Sequence, residues 1–186
     1  MSFDDIRDSI FPWIKVALPA GDAAGDADGA LSVDLVTMDF MADLVITFAV
    51  DEGDRFSLLQ RADMPGDMDS DTLYALAKKN LTEQVEFNLT GTNYGGYGIL
   101  AGGDHEAGAL CLPFVWDAVA SQAGEDLVIA VPARDCLFMA TASDPDQVEA
   151  MKALARDILD HGERTLTDTL FLLDANTRAF SIYGKC

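Results

Sequence analysis

Two features of the sequence predict an α+β protein built on a mainly antiparallel sheet, with three to four helices packed on it. The first is a set of short apolar runs joined by glycine-containing turns. The clearest pair is 44–50 and 55–59, which meet across Asp51-Glu52-Gly53-Asp54 as strand, turn and strand. The second is apolar spacing at three- and four-residue steps behind helix-entry residues. At 186 residues the chain is expected to form a single acidic domain over 1–186.

Taken in order, residues 1–30 read as a helix and a loop leading into that domain. Ile6, Ile10, Trp13, Ile14 and Leu18 recur at helical spacing before Pro19, and residues 21–30 are a small-residue acidic loop. After the 44–59 hairpin comes a helix whose apolar face is Leu73, Leu76, Ala77, Leu81 and Val85. Asp69, Ser70 and Asp71 supply acceptors and negative charge for its first amides. Three short strands near 86–89, 97–101 and 106–112, punctuated by Gly95, Gly96, Gly102 and Gly103, suggest a meander.

Residues 114–122 read as a helix entered at Pro113 and left at Gly124. The runs 127–131 and 136–140, without polar alternation, suggest strands buried on both faces and joined by Pro132-Ala133-Arg134-Asp135. Asp144, Pro145 and Gln147 supply an N-cap, a first-turn proline and a capping-box partner for a helix ending near Gly162. The tail 170–183 reads as a last hairpin turning at Asp174-Ala175-Asn176.

Charge narrows the partners. Thirty-two acids against 12 bases give a net charge of −20, and the stretches 16–54 and 80–133 hold no basic residue. Such a surface repels phosphates, so neither nucleic acid nor an anionic membrane is an expected partner. Acidity of this size reads first as a solubility device or the mark of an acidic proteome, and its functional reading is a face for a basic protein. The longest nearly uncharged stretch, 108–119, is interrupted by Pro113 and Asp117 and is too short for a membrane span. The three cysteines lack C-x-x-C spacing and the first residues carry acids where an export signal needs bases, so a cytoplasmic location is expected.

The hairpin turn Asp51-Glu52-Gly53-Asp54-Arg55, the helix Leu73-x-x-Leu76-Ala77-x-x-Asn80-Leu81, and above all the segment from Asp126 through Val131-Pro132-Ala133-Arg134-Asp135 to Leu137-Phe138 carry a resemblance. In order and spacing they resemble the YtpQ-like family of bacterial domain-of-unknown-function proteins, over about residues 44–172. The likeness departs at 91–98 and in the tail. It implies a cytoplasmic α+β domain from a family without an established activity, so it transfers no catalytic residue.

Gly96-Tyr97-Gly98-Ile99-Leu100-Ala101 has the letters of a dinucleotide fingerprint, but its glycines precede a β-like run where the fingerprint needs a helix. It reads as a glycine-rich hairpin. Asp67, Asp69 and Asp71 fit the first ligands of a calcium loop, yet Thr72 and Lys78 stand where glycine and glutamate are required. Asp26 and Asp28 follow Ala24 where a first ligand belongs. Asp104-His105-Glu106 packs three ligand types together without a second His at helical spacing, and His161 reads as a helix C-terminal cap. Cys111 and Cys136 sit in apolar runs and read as packed thiols. No metal and no cofactor is therefore expected.

Five residues remain as candidates for contact with a ligand or partner: Asp51, Asp54, Arg55, Arg134 and Asp135. Arg134 and Asp135 close a turn or pair with each other, or the guanidinium receives a ligand carboxylate. No catalytic residue is assigned. The sequence points to a non-catalytic protein-binding or adaptor domain with a basic protein as partner, and a homo-oligomer is compatible with it. Two alternatives stand beside this reading. One is a carboxylate-dependent hydrolase or transferase using Asp51, Asp54, Arg134 and Asp135. The other is an acidic immunity-type inhibitor of a basic enzyme.

Overall fold

The computed structural model describes residues 2–17 and 34–186. The expected acidic loop at 21–30, with Asp26 and Asp28, lies outside the described residues. The fold is α+β with antiparallel sheets. The chain, expected as a single domain over 1–186, divides into two compact units, Met1–Gln84 and Val85–Cys186, each with its own sheet.

In the first unit the sheet order is β1-β3-β2, from β1 (Ile10–Val16), β2 (Met38–Met41) and β3 (Leu44–Asp51); β4 (Phe56–Leu58) pairs with the end of β3 to form the expected hairpin. The helix expected across the first twenty residues is corrected. Helix α1 covers only Phe3–Ile6, a 3-10 turn follows, and Ile10–Val16 is a strand paired from Ile10 opposite Val50 to Val16 opposite Leu44. Ile10, Phe11, Trp13 and Ile14 are all buried, so the run that matched helical spacing is apolar on both faces of an extended chain. Pro12 has no N–H for a helix interior and is tolerated in a strand at the end of the sheet order.

Helix α2 (Ser70–Gln84) packs on β1, with Leu73, Ala77 and Leu81 buried. Asn80, 3% exposed, joins the two: its Nδ2 donates to the carbonyls of Arg7 (2.8 Å) and Ile10 (2.9 Å), where the chain turns into β1. Those carbonyls would otherwise carry the cost of burial without a donor.

The second unit holds a six-stranded sheet ordered β10-β9-β7-β8-β6-β5. Its strands are β5 (Asn88–Gly91), β6 (Tyr97–Leu100), β7 (Leu127–Ala133), β8 (Cys136–Thr141), β9 (Thr169–Leu173) and β10 (Phe180–Lys185). The β7–β8 hairpin, the β9–β10 hairpin and the helices α3 (Pro113–Ala123) and α4 (Pro145–His161) lie where the sequence puts them. Gly124 ends α3 at φ +72°, a conformation that glycine adopts without a Cβ penalty. Asp144 Oδ1 accepts from the amides of Asp146 and Gln147, both at 3.1 Å, and so caps α4. Val148, Met151 and Ala155 on α4 then close over Val128, Ala130, Phe138, Ala140 and Leu170 of the sheet.

The third strand of the expected meander is also corrected: Glu106–Cys111 is a 3-10 helix, buried throughout. Ala107, Gly108 and Ala109 carry too little side chain to impose a two-residue alternation. The tight turn instead lets the Trp116 indole donate to the Ala109 carbonyl at 2.8 Å. Among the described residues, no helix is long and apolar enough to cross a membrane.

Candidate functional site

In the first unit the β3–β4 turn gathers acids. Gly53 turns the chain at φ +92°, its amide donating to Asp51 Oδ1 at 2.7 Å. Glu52 receives the Ser57 hydroxyl and the Arg55 Nε, each at 2.6 Å, and these bonds hold its carboxyl below the ordinary range, the Ser57 bond contributing most. Arg55 is thus engaged by Glu52. The turn and the end of α1 line an open concavity of about 570 Å³, with Asp5, Asp51, Glu52 and Asp54 as its carboxylates.

In the second unit three segments meet at the β7–β8 turn. The Ala107 amide donates to the Arg134 carbonyl at 3.0 Å, and the Arg134 amide to the Arg164 carbonyl at 3.2 Å. The pairing of β7 with β8 shifts register between Ala130 and Ala133, just before this turn. The side chains converge as the backbone does. Arg164 Nη1 lies 2.8 Å and Arg134 Nη2 3.6 Å from the same atom, Asp104 Oδ1. Burial, and then the charge of Arg164, push the Arg134 guanidinium below its ordinary pKa, while Asp104 and Asp135 oppose that shift.

Glu106, at the start of the 3-10 helix, is 2% exposed. Its Oε1 accepts from the amides of Ala101 and Gly103, both at 2.8 Å, whereas its Oε2 is shut off from solvent and has no hydrogen-bond partner among the described residues. Cys136 stands beside it. Burial first, then the charges of Asp135 and Glu106, push that thiol up to about 11, which keeps it protonated at neutral pH.

Of the five residues singled out from the sequence, Asp51, Asp54 and Arg55 belong to the first unit, and Arg134 and Asp135 to the second; neither unit gathers all five. Sequence reasoning missed Arg164 and the anchoring role of Glu106. The triplet Asp104-His105-Glu106 is a local signal that reads from sequence as a turn and fails as a metal site. Arg164 had none, because it meets Asp104 from sixty residues away.

The remaining motifs have structural roles. Asp69 Oδ1 accepts from the Thr72 amide at 2.8 Å, which caps the start of α2. Gly96 to Leu100 runs into β6, a strand where the fingerprint needs the start of a helix. Among the described residues, no group of three or more His, Cys, Asp or Glu could hold a metal ion. No family model, curated protein or solved structure matches the chain.

Proposed function

We propose that this chain is a non-catalytic cytoplasmic binding or adaptor protein whose acidic surface engages a basic protein. The observation that carries the reading is the concavity of the first unit, where Asp5, Asp51, Glu52 and Asp54 line one opening and Arg55, beside them, is neutralised by Glu52. That unit holds 17 acids and 6 bases, so its field draws cationic side chains toward the same opening. The three free thiols support a reducing compartment. The YtpQ-like resemblance, to a family without an established activity, adds no catalytic role.

The test is the binding of a fluorescent Lys- and Arg-rich peptide, followed by anisotropy from low to high salt. Exposed charges are screened beyond roughly 8 Å at physiological ionic strength. The affinity is therefore expected to fall steeply with salt, and to weaken when Asp51 and Asp54 are both changed to Asn. Binding that ignores both salt and the double variant overturns the reading.

A further inference from the structure

The sheet of the second unit ends at β10, whose outer side no strand among the described residues covers. At the turn before it the Ala179 carbonyl accepts from the Asp174 amide at 3.0 Å, so this carbonyl faces inward. Alternation along an antiparallel strand then keeps the polar groups of Ser181 on β9 and turns the N–H and C=O of Phe180 and Ile182 outward. Outward groups of this kind are a template for another strand. The register shift between Ile182 and Gly184 limits the straight part of the edge to 180–182.

Side chains and charge add to the template. Phe180 and Ile182 are two residues apart and share one face of the sheet, where the Phe180 ring meets Trp116 edge-on at 5.1 Å. Ile182 is 66% exposed, and Tyr183 beside it 43%. Soluble chains avoid exposed apolar side chains on an open edge unless something covers them. Residues 175–186 hold Arg178 and Lys185 and no acid, in a chain of net charge −20.

We propose that the occupant of this edge is a second copy of the chain, its β10 running antiparallel to the first about a two-fold axis at Ser181. In that register Phe180 lies opposite Ile182 of the second copy, Ile182 lies opposite its Phe180, and each pair exchanges both N–H···O=C bonds. The same axis brings Phe180 and Ile182 of both copies together on one face, so the edge is complementary to itself, as an isologous contact requires. Charge favours this occupant over the basic partner of the first unit, which an edge with Arg178 and Lys185 and no acid does not attract. No acid of β10 opposes its copy. The contact is small, so the dimer is weak. It is independent of the acidic concavity in the first unit.

The experiment is sedimentation equilibrium of the whole chain, from about 10 μM to about 1 mM and at low and high salt. The mean mass is expected to rise from the 20.0 kDa of one chain toward twice that value. Association should tighten several-fold as salt rises, because the repulsion between two −20 chains is screened. Binding of a basic peptide by the first unit moves the other way with salt, which separates the two readings. Ile182→Glu, at a mostly exposed position, should abolish the dimer by setting acids across the axis. Ile182→Pro should abolish it by removing an outward donor while leaving the bonds to β9. Leu100→Glu, at a 57% exposed position of β6, should leave the dimer intact. The proposal is overturned by a mass of one chain throughout, by species that grow beyond two copies, or by a dimer that survives either Ile182 variant or is lost in Leu100→Glu. Should Ile182→Pro fail to fold, Ile182→Glu and the Leu100 variant still decide.

Discussion

The carboxylate of Glu106 and the amide of Gly103 form a 2.8 Å hydrogen bond that folds the chain back on itself between β6 and the 3-10 helix. With the Ala101 amide on the same oxygen, two backbone donors that no strand or helix serves are satisfied by one buried side chain. The acid read from sequence as a poor metal ligand is therefore the anchor of its loop.

Removing that anchor should be costly. Glu106→Ala leaves both amides without an acceptor and is expected to lose about 2–4 kcal/mol, while Glu106→Gln keeps an acceptor oxygen and should lose less. Urea unfolding midpoints of the two variants against the parent check the order. Equal midpoints for all three proteins would refute the anchoring role.

Local punctuation explains what the sequence could convey. Asp144, Pro145 and Gln147 specify the start of α4 within four residues, and the β7–β8 and β9–β10 turns are equally local. The strand β1 was hidden because a continuous apolar run satisfies helical and extended spacing alike, and only its pairing with β3 decides between them. The 3-10 helix was hidden because alanine and glycine carry almost no pattern. In the site, Arg134 and Asp135 were visible as charges amid apolar strands, but a partner such as Arg164 is set by tertiary contact alone.

The glycines of the β5–β6 turn separate close approach from mere flexibility. A Cβ at Gly96 would run into the carbonyl oxygen of Met139 and the ring of Tyr94, and the backbone oxygen has no rotamer with which to yield. Gly96→Ala is expected to cost about 2 kcal/mol or more by overpacking. Gly91→Ala, where nothing lies within 4 Å, should stay within about 0.5 kcal/mol of the parent. Thermal and urea unfolding of the pair give the comparison, and a neutral Gly96→Ala would contradict the close packing.

Cys136 offers a chemical readout of its neighbours. With its thiol raised to about 11, only about one molecule in a thousand carries the thiolate at pH 8, so alkylation at this residue should be slow in the folded protein. Asp135→Asn removes one of the negative charges that oppose ionisation. The thiol should then titrate lower and alkylate several-fold faster, as followed by mass spectrometry of the Cys136 peptide. An unchanged rate would mean that burial alone controls the thiol.

Acid should act on this protein in two opposing steps. Between neutrality and the isoelectric region near 4.1, protonation lowers the net charge from −20 and relieves repulsion within each unit, so stability is expected to hold or rise. Below that, a second group of carboxylates dominates. Asp174, which accepts from the Thr177 and Asn176 amides in the β9–β10 turn, and Asp69 at the start of α2 are both held below their ordinary 3.8. Hydrogen bonds to Ser57 and Arg55 likewise hold Glu52 below 4.5. For each, the folded form binds its proton less readily than the unfolded chain. The stabilisation is complete above the unfolded value and is lost as pH falls through the folded one. Midpoints of urea unfolding measured from pH 7 to 2.5 should therefore pass through a maximum near pH 4–5 and then drop. Asp174→Asn keeps a side-chain acceptor but cannot titrate, so it should flatten the drop without moving the maximum. A curve that falls steadily from pH 7, or an Asp174→Asn curve as steep as the parent's, would show that other groups control the acid limb.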